Sequence, residues 1–198
     1  MDIEKYIGYY KNVIPNDVCK NIMNSNLNFQ PSTYADHKGK ISNSDERVRM
    51  DECWIGNTPN QITIGKLRIG NQMGDDSNLY RDIKISFEYV CHRYSKEFPL
   101  FSVQRMTDFR INRYSEGGFM SRHIDNIHHS HGQQYGYPQV SVLLYLNDDY
   151  EGGEFYVANK RFTPEKGSGI IFPSNFMFPH EARTVTKGTR WSIITWLM

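Results

Sequence analysis

The residues best suited to chemistry are His123 and Asp125, two positions apart. On extended backbone, positions i and i+2 project to the same side, so an imidazole and a carboxylate can grip one ion together. A second histidine would complete a face of two nitrogens and one oxygen. Such a face leaves three adjacent positions open, as a non-haem Fe(II) needs when a cosubstrate and O2 bind together. His180, 55 residues after Asp125 (180 − 125), is the candidate third ligand. An isolated HxD is also what an exposed His beside an Asp on a loop looks like. Other histidines compete. His128, His129 and His131 read first as a surface loop, then as an adventitious metal site or a flap; His37 and His92 read as ordinary residues.

Ten residues past His180 (190 − 180) comes Arg190. An oxygenase that consumes a dicarboxylate needs a fixed cation for the far carboxylate. Guanidinium offers planar, bidentate bonding and stays charged even when buried. On a strand, Arg190, Ser192, Ile194 and Trp196 share one face. A cation, a hydroxyl and an aromatic wall there suit a small anionic ligand; a surface Arg on an edge strand is the bland alternative. Arg110, Asn112 and Tyr114 alternate in the same way. A long polar inward stripe is unusual in a β-core unless it meets a ligand, although the Tyr114 ring could simply fill core.

These residues need strands to hold them. After residue 100, segments rich in Val, Ile, Phe and Tyr alternate with Gly, Pro, Asn and Asp turns: Val103–Tyr114, Gln139–Leu146, Glu154–Val157, Gly169–Phe172, Met177–Val185 and Arg190–Leu197. This spacing predicts a β-barrel or sandwich. Before it, Pro15 and Asn16 open a helix over Val18–Leu27, with Val18, Ile22 and Met23 inward. A second helix runs from Asp76 to about Lys96, where Leu79, Ile83, Phe87, Val90 and Tyr94 form an amphipathic stripe. Gly117-Gly118 and Gly152-Gly153 are placed to turn the chain into strands. Gln30–Asn60 and Ile127–Pro138 are polar, loop-like borders for a site.

Composition narrows the field. With 198 residues, the chain suits one large domain. A net charge of +1 gives no excess field to attract nucleic acid. No apolar run approaches the roughly 20 residues of a membrane helix. Met1-Asp2-Ile3-Glu4-Lys5 does not open a secretory signal. Cys19, Cys53 and Cys91 form no framework, so a reducing, cytoplasmic setting is expected.

The C-terminal half resembles the 2-oxoglutarate- and Fe(II)-dependent dioxygenases of the prolyl 4-hydroxylase type. Four ordered blocks carry the likeness. They are Arg113-Tyr114-Ser115-Glu116-Gly117-Gly118 leading to His123-Ile124-Asp125; Leu143 to Asn147 leading to Glu151-Gly152-Gly153-Glu154-Phe155; Pro164 to Phe172; and His180 through Lys187-Gly188-Thr189-Arg190-Trp191 to Trp196. The resemblance implies a mainly β fold with flanking helices around a double-stranded β-helix, or jelly roll. It implies Fe(II) on His123, Asp125 and His180, with 2-oxoglutarate chelating the ion. The far carboxylate would sit on Arg190, helped by Tyr114, with Trp196 nearby. Asn112 and Ser192 join the cosubstrate candidates from their shared faces.

Several positions depart from the family pattern. Met120 stands where a Tyr is frequent, Tyr137-Pro138-Gln139 where an Arg is frequent, Phe155 in place of Thr, and Arg190 where many members use Lys. The nucleic-acid demethylase branch is disfavoured, because its second Arg is Trp196 here. The expectation is one domain over 1–198, with helices and supporting strands in 1–102 and the catalytic jelly roll in 103–198. It would be a monomeric hydroxylase using Fe(II), 2-oxoglutarate and O2, with ascorbate as a candidate auxiliary. Its partners would be a peptide, protein or small-molecule substrate, with no nucleic acid and no membrane. Peptidyl proline is the first substrate class; another amino-acid side chain or a small metabolite is the alternative. A non-catalytic jelly-roll binding module and a zinc hydrolase are the rivals.

Overall fold

The computed structural model describes residues 2–35, 41–42, 46–56, 77–126 and 137–198. Strand β1 (Gly8–Tyr10) and helix α1 (Asn16–Asn24) lead to β2 (Gln30–Pro31), β3 (Tyr34–Ala35), β4 (Ile41–Ser42), β5 (Val48–Arg49) and β6 (Asp51–Ile55). Helix α2 (Ser77–Glu97) follows. Then come β7 (Phe109–Tyr114), β8 (Phe119–His123), β9 (Val140–Tyr145), β10 (Glu151–Gly152), β11 (Phe155–Val157) and β12 (Lys160–Phe162). The series ends with β13 (Gly169–Pro173), β14 (His180–Ala182), β15 (Val185–Lys187) and β16 (Arg190–Leu197).

A seven-stranded sheet in the order β1-β13-β9-β16-β7-β6-β2 packs against a five-stranded sheet in the order β12-β11-β14-β8-β5. The strand pairs are antiparallel. The alternation of side chains explains the layers. Along β9 all six residues are buried. Val140, Val142 and Leu144 join the core under the helices, while Leu143 and Tyr145 join the core between the sheets. Strand β16 divides in the same way, with Ile193 and Leu197 outward and Ile194 and Trp196 inward. The large sheet is thus sandwiched between helices and the small sheet, which is a jelly roll with helices on one side.

Helix α2 forms where the stripe predicts it. Leu79, Ile83, Phe87, Val90 and Tyr94 are all buried, and Phe87 stacks on Phe109 with ring centroids 5.1 Å apart. Each fully buried side chain of this size contributes about 1.5–3 kcal/mol. Helix α1 stops at Asn24, earlier than predicted, as Ser25 N–H bonds back to Ile22 O. It buries Val18, Cys19 and Ile22. The predicted strand over Met177–Val185 is two strands, because the chain switches neighbours. β14 pairs with β11 and β8, whereas β15 pairs with β10. The predicted Val103–Tyr114 strand begins only at Phe109; the stretch before it bonds to the C-terminal backbone through Gln104 and Thr107. The residues 127–136, with His128, His129, His131 and most of the Ile127–Pro138 border, lie outside the described residues. So do His37 and parts of the Gln30–Asn60 border.

Candidate active site

Strands β8 and β14 are register neighbours with His180 directly opposite His123. Their rings are 4.3 Å apart. Asp125, just past the end of β8, lies across both: Oδ1 is 3.4 Å from His123 Nε2 and Oδ2 is 3.3 Å from His180 Nε2. The three potential ligand atoms all lie within 4.8 Å of one another. Carbonyl oxygens only accept, so the ring contacts fix the tautomers. His123 Nδ1 faces Ser121 O at 2.8 Å, and His180 Nδ1 faces Phe178 O at 3.3 Å. Each Nδ1–H donates outward, and each Nε2 lone pair is left turned toward Asp125.

Electrostatics match this arrangement. Burial, then the neighbouring His180, pushes the His123 pKa down, so the ring sheds its proton readily. Burial alone would raise Asp125, but the two imidazoles outweigh it and hold the carboxyl well below its ordinary range. An ionised carboxylate beside imidazole nitrogens is the donor set of a divalent metal with open positions. Ser141 Oγ donates to Asp125 Oδ2 at 2.6 Å, and Ser174 Oγ lies 2.7 Å from Ser141 Oγ. These hydroxyls orient the carboxylate from behind.

Arg190 begins β16, and its Cα is paired with Tyr114 on β7. It is 1% exposed, yet its Nε, Nη1 and Nη2 have no hydrogen-bond partner among the described residues. The guanidinium carbon sits 4.7 Å from the Tyr114 ring centroid and 5.2 Å from that of Tyr145. Aromatic faces soften the burial of a cation, and the hydroxyls of Tyr145, Tyr114 and Tyr150 stand close enough to favour its charge. No well-aligned hydrogen bond meets its N–H donors among the described residues. Nearby, Ser192 Oγ, Asn112 Oδ1 and the Tyr145 hydroxyl are also buried without partners among the described residues. Burial pushes the Tyr145 pKa up, so its hydroxyl stays a donor. Phe155 links this pocket to the histidines. Its ring centroid is 5.9 Å from the His180 ring and 5.9 Å from the Arg190 guanidinium carbon. Buried unpaired donors of this kind are costly unless a ligand meets them, and a small dicarboxylate fits them.

The backbone around Arg190 is held tightly. Asn147 accepts Trp191 N–H at 2.8 Å and donates to Thr189 O at 2.7 Å, bracketing Arg190 on both sides. Gly153 has φ +63°, and a Cβ there would lie 3.1 Å from Arg190 Cδ, so glycine is needed for both conformation and space.

All the predicted residues therefore share the inner space between the sheets. His123, Asp125 and His180 converge, and Arg190, Tyr114, Asn112 and Ser192 form a second group. Trp196 lies farther along, with its ring 6.0 Å from Trp54. Sequence reasoning missed Asn147, Tyr145 and the support that Ser141 and Ser174 give Asp125. A lone Ser within the apolar run Val140–Tyr145 was the available signal. A cleft of about 570 Å3 opens elsewhere, lined by Gln30, Ser32, Arg49, Asp51, Arg113 and Glu116 among others. None of the three converging residues lines it, and two of its charges, Arg113 and Asp51, pair at 2.8 Å.

Comparison with known proteins agrees with this geometry. Residues 109–198 match the model of the 2OG-Fe(II) oxygenase superfamily. A PKHD-type hydroxylase of Stenotrophomonas maltophilia is 28% identical over 167 residues, covering 78% of this chain and 72% of that protein. Human prolyl 3-hydroxylase 2 is 38% identical over 69 residues, which is 31% of this chain but only 10% of that protein. A solved prolyl hydroxylase from Trichoplax adhaerens, in complex with a hypoxia inducible factor peptide fragment, superposes with a TM-score of 0.67 at 19% identity. That match covers 98% of this chain and 83% of that one. The match over residues 109–198 and the relatives support a 2-oxoglutarate/Fe(II)-dependent oxygenase. Among solved structures, prolyl hydroxylases share its fold, including one from Pseudomonas putida at 16% identity with a TM-score of 0.62, covering 97% of this chain and 91% of that one. None of the described helices is long and apolar enough to cross a membrane.

Proposed function

We propose that this chain is a hydroxylase that couples oxidative decarboxylation of 2-oxoglutarate to hydroxylation of a peptidyl prolyl residue. The carrying observation is the fully buried guanidinium of Arg190, without a well-aligned hydrogen bond among the described residues, in the same inner space as His123, Asp125 and His180. Fe(II) would be held by His123, Asp125 and His180, and when bound it supplies the O2 activation that the polypeptide lacks. Arg190 anchors the far carboxylate of 2-oxoglutarate, with the Tyr145 hydroxyl and Ser192 as further donors and Asn112 beside them. Tyr114 lies against the guanidinium and fixes its plane. Ser141 keeps the Asp125 carboxylate turned toward the histidines. The apolar walls Phe155 and Phe172 keep water out. Prolyl hydroxylation rests on the kinship of the relatives, including the peptide-bound Trichoplax protein. The same reading takes residues 1–198 as one monomeric catalytic unit, cytoplasmic and without nucleic acid partners. The net charge of +1 and the unpaired cysteines support that setting.

The test is an anaerobic titration with Fe(II) and 2-oxoglutarate, followed by admission of O2. A weak visible charge-transfer band and then succinate formation are expected. Asp125→Ala should lose both while keeping the wild-type circular dichroism. A wild-type protein without the band, or an Asp125→Ala protein with full turnover, overturns the reading.

A further inference from the structure

The inner polar stripe of β7 continues past the groups assigned above. Arg110 lies on the same face as Asn112 and Tyr114, four residues from Tyr114, a rise of about 13 Å along the strand. That is longer than an extended five-carbon diacid, so a 2-oxoglutarate anchored on Arg190 does not reach Arg110. Arg110 sits instead toward the Asp125 end of the sheet. Its guanidinium carbon is 5.0 Å from the Trp196 ring centroid, and Trp196 is the register partner of Ser141, which bonds Asp125.

The surroundings of Arg110 are arranged in advance. Its guanidinium carbon is also 5.9 Å from the Trp54 ring, so two indoles flank the cation. Glu52 lies 3.6 Å from Arg110 Nη1, beyond a strong hydrogen bond. Glu52 is itself already engaged: Ser32 Oγ donates to one carboxylate oxygen at 2.7 Å and Trp54 Nε1 to the other at 3.3 Å. Glu52 therefore steadies Arg110 without saturating it. Arg110 Nε is buried with no hydrogen-bond partner among the described residues. A largely buried planar cation between apolar ring faces, with a donor to spare, is built to take a carboxylate.

We infer that Arg110, set between Trp54 and Trp196 and steadied by Glu52, is a substrate subsite for an acidic group, the carboxylate of an Asp or Glu residue near the hydroxylated position. This rests on the proposed peptidyl hydroxylase reading and adds a specificity to it. The subsite selects among substrates; the metal and cosubstrate groups lie elsewhere on the same inner face.

The experiment uses the Fe(II)-loaded full chain with saturating 2-oxoglutarate and O2. The probe is a library of one-proline peptides with the flanking positions randomised, read by a mass gain of one oxygen. Wild type should enrich peptides with Asp or Glu at one flanking position over their Asn or Gln counterparts by roughly 10- to 100-fold in kcat/KM. Raised salt should shrink that preference. Arg110→Gln should erase it, mainly through KM, and Arg110→Lys should retain part of it, since Lys keeps the charge but loses the fork. The anaerobic charge-transfer band serves as the folding control for each variant, and Arg110→Lys carries the test if Arg110→Gln does not fold. Turnover of the library without acidic preference, or a preference that survives in Arg110→Gln, overturns the subsite alone. A folded, band-forming wild type that hydroxylates no peptide overturns the peptidyl reading and the subsite with it.

Discussion

The two faces of the seven-stranded sheet obey opposite rules. Outward, Val140, Val142, Leu144, Ile193 and Leu197 join one apolar cluster with helix residues such as Ile83, Phe87 and Val90. Inward, the same strands carry Ser141, Arg190, Ser192, Asn112 and Arg110, several with buried polar atoms that meet no partner among the described residues. One backbone serves both because side chains alternate with period two. The outer face concentrates the stability, and the inner face gives some of it up. Local departures from well-satisfied packing are where sites are found.

This contrast can be broken from either side. The largest effect belongs to the outer face. Phe87→Ala removes a ring stacked on Phe109 and should cost about 3–5 kcal/mol in denaturant unfolding. The anaerobic 2-oxoglutarate affinity of the fraction that remains folded should stay near wild type. Next comes Arg190→Met, which exchanges a buried unpaired cation for an apolar chain. The ligand-free protein should gain about 1–4 kcal/mol, seen as a higher Tm, while 2-oxoglutarate binding collapses. A lower Tm there would mean that the inner face is not under strain. Ser141→Ala removes the hydroxyl behind Asp125 and should weaken metal affinity by about 10- to 100-fold, measured by competition with a chelator.

The smallest effect is a near absence of change. Burial pushes the Cys19 thiol up to about 11 and the Cys91 thiol up to about 12. Neither should be alkylated in the native protein at pH 8. Because an unfolded thiol ionises near pH 8.5, the native state binds more protons above that. Their stabilisation is complete below about pH 8.5 and is lost as pH rises toward 11 and 12. A Tm that holds steady to pH 8.5 and declines above it would bear this out, whereas rapid alkylation at pH 8 would contradict it.

What was legible in the sequence follows from distance along the chain. Leu79, Ile83, Phe87, Val90 and Tyr94 announced helix α2, because helical periodicity is local. His123 and Asp125 were legible because a two-residue spacing on a strand is local too, and the alternation of Arg110, Asn112 and Tyr114 was read on the same basis. The split between β14 and β15 was hidden, because it depends on a change of neighbours at residues 183–184 that no local pattern encodes. The clamp of Asn147 on Trp191 and Thr189 was hidden for the same reason, as was the Arg110–Glu52–Trp54 grouping across β6 and β7. Such contacts arise from register, which is fixed only when whole sheets assemble.

The facing of His123 and His180 has one more consequence. They lie 57 residues apart (180 − 123) and meet only across paired strands. A bound ion would therefore act as a removable cross-link between β8 and β14, closing a long loop much as a disulfide does. Such a clasp would slow the parting of the small sheet, so resistance to chelation and to protease would rise and fall together.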